Sequence, residues 1–382
     1  MINILYALNG PMYKGGTEAV VLGYFDNLDK DKFKIDFLIH GFLEQNLDNE
    51  IHNYLLTNGA HIYYVTPRGV NYKKNQDELR SFFDSHQYDI VHSHMDAAGY
   101  YLLKIAYRNT NSVCVSHSHN TDVKTGGNVL KKFFYTFVLK YARAKLPKVT
   151  DVRIACSNLA GKWLYGKYEY HIVNNAIDIY KFAFSEEKRS KFRSMFNCQG
   201  KTVVGHVGRF THQKNHHFLI DIFYEYQRIN PKSILVLVGK GYMEEEIKEK
   251  VINLHLTEKV KFLGIRNDVD VIMQGIDIFL LPSYHEGLPV VGIEAQTSGL
   301  PCVVSSTVSS ELALSKRVKF VSLKKPPNYW AKIIDEMLKR DADRNMGKKI
   351  VKHAGYNIDD IIEQIEIIYQ NALKVKKEKN VL

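Results

Sequence analysis

Short, β-branched apolar runs alternate along this chain with longer stretches in which apolar residues recur every three or four positions. Ile2–Leu8, Phe33–Ile39, Ile62–Val65, Ile90–His94 and Val113–His117 have the length and composition of buried strands. Thr17–Leu28 and a segment around Leu47–Asn58 have helical spacing between them. The rhythm restarts after about residue 200. Thr202–Val207, Ile234–Val238, Val260–Leu263, Ile278–Leu281, Pro301–Ser305 and Phe320–Ser322 read as strands, with helices over His217–Arg228, Glu244–Leu254 and Val290–Ser298. This βα alternation predicts two doubly wound α/β halves, each a parallel sheet with helices on both faces. The join is expected near residues 171–200, where the pattern weakens and charge rises across Ser185–Arg193. A last segment, Ile358–Lys374, reads as an amphipathic helix with a basic tail.

Length agrees with the pattern: at roughly one domain per 150 residues, 382 residues make two or three domains. Apolar residues at 45% and charged ones at 24% exclude a largely disordered or fibrous chain. The formal charge of +11 favours anionic partners without saying which. Cys114, Cys156, Cys198 and Cys302 lie far apart, so neither a disulfide scaffold nor a cysteine zinc site is expected. The N-terminus lacks the basic start and cleavage site of a signal peptide, and no apolar run reaches membrane-spanning length. Ile276–Pro282, the longest, contains Asp277 and is strand-sized. The expectation is a soluble cytoplasmic protein that can touch a membrane surface.

In open α/β sheets ligands bind beyond the carboxyl ends of the strands, so the residues following each strand carry the chemistry. Asn9-Gly10-Pro11-Met12-Tyr13-Lys14-Gly15-Gly16-Thr17-Glu18 is a strand-to-helix turn. It suits either backbone approach to a phosphate or a tight turn capped by Thr17. It matches neither GxGxxG nor the P-loop. Gly208-Arg209-Phe210-Thr211-His212-Gln213-Lys214-Asn215 follows the strand Thr202–Val207 and sets two cations around a helix start, which suits a pyrophosphate. The third motif runs from Leu281 to Glu294: a strand, a glycine loop, and a helix with Pro289 in its first turn. Glu286 precedes that loop. Glu294 lies in the helix, where a carboxylate can accept two vicinal hydroxyls such as a ribose presents.

Glu286-x7-Glu294, Gly208-Arg209 with Lys214, and the Gly15-Gly16 turn together resemble a family 4 glycosyltransferase of the GT-B fold. His117-Ser118-His119-Asn120, Gly205-His206-Val207, Phe262-Leu263-Gly264 and Gly287-Leu288-Pro289 running to Gly299-Leu300-Pro301 extend the likeness to the exopolysaccharide and capsule branch. The resemblance covers roughly Ile2 to Tyr369. It implies two Rossmann-like doubly wound parallel-sheet domains facing a central cleft. Residues 1–180 would bind the acceptor, 181–357 the nucleotide-sugar, and 358–382 would form a helix crossing back to the first domain.

The resemblance also implies roles. Arg209 and Lys214 would neutralise the donor diphosphate and act as catalytic electrophiles. Glu294 would bind the ribose, and Glu286 the transferred sugar's hydroxyls. Backbone N–H groups around Gly287-Leu288-Pro289-Val290 would contact sugar or phosphate. Gly16 would approach the diphosphate, and Arg266 would contact the base through its backbone. One strand-end histidine would shape the reacting sugar. His119 is favoured over His117 because Asn120 follows it, while His92, His94 and His117 would line the acceptor side. Such enzymes resemble one another in retaining the anomeric configuration. A UDP-sugar donor, a lipid-linked saccharide acceptor and no further cofactor are the expected partners.

No essential metal is expected. A pair of histidines two apart suggests one, but no carboxylate or cysteine completes a set, and Asp268-Val269-Asp270 reads as helix capping rather than a metal-binding DxD. The stretch Leu130–Lys148 holds six cations and no acid among aromatics and aliphatics. It reads either as an anionic-membrane surface helix or as a packed helix with one basic face. The first reading places the protein on the inner face of the cell membrane. Charge alone would also allow a nucleic-acid-binding protein, but no recognition motif accompanies it, so no nucleic acid is expected. A nucleotide-sugar epimerase or glycogen-type synthase of the same fold is the nearer alternative.

Overall fold

A computed structural model describes residues 1–10, 16–43, 50–120, 129–340 and 343–381, with the side chains of all of these except 129–135, 380 and 381. The chain divides into two compact units, residues 1–175 with 358–382, and residues 176–357.

In the first unit the order is β1 (Ile2–Asn9), α1 (Gly16–Asn27), β2 (Phe33–His40), α2 (Glu50–Thr57), β3 (Ile62–Val65), α3 (Tyr72–Ser85), β4 (Ile90–Ser93), α4 (Tyr100–Asn109), β5 (Val113–Ser118), α5 (Val129–Lys145), β6 (Val152–Ala155), α6 (Asn158–Tyr165) and β7 (His171–Ile172). The strands pair in parallel in the order β3-β2-β1-β4-β5-β6-β7. The second unit contributes α7 (Ile179–Phe182), α8 (Glu186–Met195), β8 (Thr202–Val207), α9 (His216–Ile229), β9 (Ser233–Val238), α10 (Glu244–Asn253), β10 (Val260–Phe262), α11 (Val269–Gly275), β11 (Ile278–Leu281), α12 (Val290–Thr297), β12 (Cys302–Ser305), β13 (Val318–Val321), α13 (Pro327–Leu338) and α14 (Met346–His353). Its strands are also all parallel, in the order β10-β9-β8-β11-β12-β13. The chain then ends in α15 (Ile358–Val381), which belongs to the first unit.

Both sheets therefore reverse direction beside their first strand, at β1/β4 and at β8/β11. Those reversals splay the following loops apart and open a crevice at the carboxyl edge. The central strands β4, β5, β9 and β11 are buried along their whole length because helices cover both faces. In the second unit Val203, Val236, Phe279 and Leu281 pack on one side. Val204, Leu235, Leu237, Ile278 and Leu280 pack on the other, over Trp330. In the first unit Leu5, Val91, Cys114 and Ala155 face the core shared with α4. Tyr369 of α15 closes on Phe33 and Tyr6 (rings 6.2 Å apart for Phe33; hydroxyls 3.3 Å apart for Tyr6).

The two units divide between Asn175 and Ala176, and the charged segment Ser185–Arg193 that follows is a packed helix of the second unit. Ser185 caps α8 by accepting from the Lys188 amide, and Arg189 and Arg193 both grip Asp277 (2.6 and 3.1 Å). Asp277 also accepts from the Val203 amide at 2.7 Å, so this carboxylate fastens α8 to the start of β8 and β11. The strands β6 and β7 go unpredicted because Arg153 interrupts the apolar run of β6, and β7 is two exposed residues. Helix α1 starts at Gly16, which places Thr17 inside its first turn rather than at the cap. Residues 11–15, including Gly15, lie outside the described residues.

Candidate active site

At the carboxyl edge of the second sheet, the loop after β8 and the loop after β11 are stitched together. The Tyr284 amide donates to the Gln213 carbonyl (2.9 Å), the Gln213 amide group to the His285 carbonyl (3.0 Å), and the Asn215 amide group to the Pro282 carbonyl (3.1 Å). Asn215 sits at φ 56°, a left-handed conformation that asparagine tolerates better than most residues. These bonds bring Lys214 and Glu286 together: Nζ lies 2.7 Å from Oε1, and the two side chains are only 16% and 11% exposed. The sequence had assigned them to different groups of a ligand. In the structure each is the other's partner.

The stem of Lys214 runs against Gly208, where an added Cβ would meet Lys214 Cε at 3.2 Å and His206 Nε2 at 2.9 Å. A side chain at 208 would thus displace the lysine. His206 donates its Nδ1–H to the Leu280 carbonyl at 2.8 Å, and burial holds its pKa down to about 3. His216 is lowered to about 2, also by burial. Lys214 therefore lies beside imidazoles that burial keeps neutral. His206 enters the sequence reading only within Gly205-His206-Val207, with no role, and His216 does not enter it; the available signal was a polar residue inside an apolar strand, His206 in β8.

Arg209 follows β8 and is exposed. Pro289 occupies the cap of α12 rather than its first turn, and the amides after it lack earlier helical carbonyls to bond. The Glu286 and Gly287 carbonyls accept from the Ser309 amide (3.3 Å each), fixing the loop from outside. A Cβ added at Gly287 would meet no described atom within 4 Å, and Gly16 is equally open, so packing demands glycine at neither. Glu294 lies in the second turn of α12. Burial pushes its carboxyl up to about 7, with Lys181 opposing and Asp270 adding to the rise.

Two expectations on the next loop change. Asp268 stands at the cap of α11 without capping it, because its carboxylate takes the Arg266 guanidinium bidentately (2.8 and 2.6 Å). Asp270 pairs with Lys188 at 2.7 Å. The DxD pair is thus spent on separate cations.

At the carboxyl edge of the first sheet, His92 pairs in register with Val115, which puts His92, His94, His117 and His119 on one face. His92 Nδ1 meets the Tyr369 hydroxyl at 2.6 Å, and His94 Nδ1 meets His119 Nε2 at 3.0 Å. Burial, then the neighbouring imidazoles, holds His92, His94 and His117 far below the usual histidine range, and burial lowers His119 to about 4. His92, His94 and His117 are buried, so of the four histidines given ligand-side roles only His119 keeps exposed surface. Asp96, missed in the sequence, holds that corner: from φ 47° its carboxylate accepts the His119 amide (2.7 Å) and the Asn120 side chain (2.8 Å).

The family described as Glycosyltransferase Family 4 matches residues 14–181, and Glycosyl transferases group 1 matches residues 187–354. The chain is 29% identical over 387 residues to the putative glycosyltransferase EpsF of Bacillus subtilis, covering 99% of this chain and 98% of that one. It is 25% identical over 370 residues to the UDP-Gal:alpha-D-GlcNAc-diphosphoundecaprenol alpha-1,3-galactosyltransferase of Escherichia coli, covering 93% of each. The crystal structure of HepE from Anabaena in complex with UDP superposes with a TM-score of 0.76 at 18% identity, covering 97% of this chain and 100% of that one. Matched by these two families one after the other, and by relatives along nearly its whole length, the chain belongs to family 4 of the glycosyltransferases and has the GT-B fold.

Proposed function

We propose that the protein is a retaining glycosyltransferase that moves a sugar from a UDP-linked donor to a lipid-linked saccharide during polysaccharide synthesis. The observation that carries this reading is the Lys214–Glu286 pair, which sits beyond β8 and β11 where that sheet reverses. A donor diphosphate competes with Glu286 for the Lys214 ammonium, and Arg209 adds a second, bidentate cation. Release frees Glu286 to accept hydroxyls of the transferred sugar. Amides from Gly287 to Val290 line the sugar and phosphate, Glu294 accepts the ribose hydroxyls, and the backbone at Arg266 meets the base. In the first unit, Gly16 allows close approach of the diphosphate, His119 faces the reacting sugar, and His94 and His117 support it from behind.

The bond from the anomeric carbon to the phosphate oxygen breaks as the acceptor oxygen attacks from the same face. The departing phosphate oxygen takes the acceptor's proton, and the nucleoside diphosphate leaves. Charge on that leaving group peaks in the transition state, where fixed cations lower the barrier most. These cations do the work a divalent ion would otherwise do at the diphosphate.

A screen of nucleotide-sugars by thermal stabilisation tests the donor. A UDP-sugar at 100 times its dissociation constant is expected to add ~2.7 kcal/mol, with GDP- and dTDP-sugars well below it. Free UDP should then accumulate only when an acceptor saccharide is supplied. Stabilisation by no nucleotide-sugar, or release without acceptor, would contradict the reading. Glu294→Ala should weaken UDP by about 1–3 kcal/mol through loss of hydrogen bonds to a charged group. The ionised carboxylate is the better acceptor of two hydroxyls, so UDP affinity should rise as pH climbs through about 7. Glu294→Gln should flatten that rise relative to wild type.

Helix α5 supports the membrane part of the proposal. Leu139 and Ala142 are buried, whereas Phe137 and Tyr141 are exposed beside Lys140, Arg143 and Lys145. Exposed aromatics among cations suit the headgroup layer of an anionic bilayer. The side chains of Lys131 and Lys132 lie outside the described residues. No described helix is long and apolar enough to cross a membrane. Reversing charge at Lys131, Lys132, Lys140 and Arg143 should release the protein from anionic vesicles. Unchanged sedimentation with them would count against membrane docking through this helix.

A further inference from the structure

Four imidazoles on one face of the first sheet, at the ends of two adjacent strands, are more than a sugar contact needs. We propose that His92, His94 and His117 form a three-histidine site for one divalent transition-metal ion of the Zn2+ class. One nitrogen from each lies within 4.8 Å of the other two. Tetrahedral zinc, with bonds of about 2.0–2.1 Å, sets ligand nitrogens roughly 3.4 Å apart, so modest ring tilts close the site.

The hydrogen bonding is the kind that such a site needs. A metal-bound histidine normally commits its second nitrogen to a partner that fixes ring and tautomer. His92 commits Nδ1 to the Tyr369 hydroxyl and His94 commits Nδ1 to His119, at 2.6 and 3.0 Å. In both, Nε2 is left buried with no hydrogen-bond partner among the described residues, and in His117 both nitrogens are. The Tyr24 hydroxyl, whose ring centre is 6.3 Å from those of His94 and His117, is a further buried polar atom without one. Leaving a buried polar atom unpaired costs ~1–3 kcal/mol, and here several converge on one point. A single ion that accepts lone pairs from three imidazoles removes most of that cost.

The donor set chooses the metal. Imidazole nitrogens favour zinc, copper and nickel, while magnesium and calcium require oxygen. The site is therefore separate in chemistry from any ion that could accompany a diphosphate. His119, partly exposed, marks the side from which an ion enters. Through Tyr369 the ion would tie α15 to the ends of β4 and β5. Sequence spacing could not reveal this set, because each His-x-His pair alone offers two ligands and the third comes from the neighbouring strand.

The test uses untagged, full-length, chelator-treated protein titrated with Co2+ and then Zn2+. Uptake of one Co2+ per chain with the visible absorption of a tetrahedral site, its displacement by Zn2+, and a raised melting temperature are expected. His117→Asn should abolish that uptake. Should His117→Asn fail to fold, Tyr369→Phe takes its place, and its affinity is expected to fall by ~10–100-fold, as for other second partners of metal-bound histidines. Absence of stoichiometric uptake by wild type, or uptake unchanged in whichever variant folds, would overturn the proposal and leave water as the partner of these nitrogens.

Discussion

Lys214→Ala is expected to lower kcat by about 10²–10³-fold while changing donor KM far less, the loss typical of removing one preorganised charge from a leaving group. The lysine side chain is 16% exposed and lies beside imidazoles that burial keeps neutral, so little solvent screens its charge. In the free protein its charge is balanced by Glu286 at 2.7 Å. Deleting the lysine therefore does two things: it removes a cation from the leaving diphosphate, and it leaves a confined carboxylate that repels the donor. Lys214→Ala with Glu286→Gln separates them. Donor affinity should recover in the double variant, whereas turnover should not. A lysine variant that loses donor affinity at unchanged kcat would refute the assignment of Lys214 to the departing phosphate.

The largest effect on stability is expected from Asp277→Ala, about 3–5 kcal/mol, read as a fall in the denaturant midpoint of the second unit. Its carboxylate accepts from Arg189, Arg193 and the Val203 amide, and the two arginine side chains are 21% and 12% exposed. Removing it strands two guanidinium groups that also serve the carbonyls of Gln274, Ile276 and Gly275. The exposed pair Lys339–Asp335 is the control. Asp335→Ala should cost within ~1 kcal/mol, as exposed pairs do. Equal costs for the two substitutions would show that Asp277 does not hold α8 to the sheet.

Much of the fold was legible because strands and helices announce themselves through local periodicity. Thr202–Val207, Ile278–Leu281 and Ile62–Val65 were bounded correctly, since each is a short apolar run between polar turns. The helices α3, α4 and α13 were not picked out although each has a distinct buried face, and two further elements are hidden by a weak or charged pattern. The two-residue strand β7 has both residues exposed, and α8 carries so many charges that it read as a break. Asp277 looked like an interruption of an apolar run, and only its two arginine partners, more than eighty residues away in sequence, show why it is there.

At the candidate site the division is sharper. The residues that carry charge could be picked from their places after strands, and Lys214 and Glu286 were so picked. Their direct pairing could not, because it depends on β8 lying beside β11 and on the three hydrogen bonds that join the loops. The histidines make the same point. Alternation along a strand puts His92 with His94, and His117 with His119, on one face, and that much is local geometry. That the two pairs meet, that His117 is shut away from solvent, and that Tyr369 arrives from the far end of the chain are decided by strand register and helix packing. The sequence by itself determined the βα rhythm, the chemistry available after each strand and the family likeness, since these depend on neighbours within a few residues. Which of those groups touch, and which are buried, only the tertiary structure decided, because both depend on contacts between residues far apart along the chain.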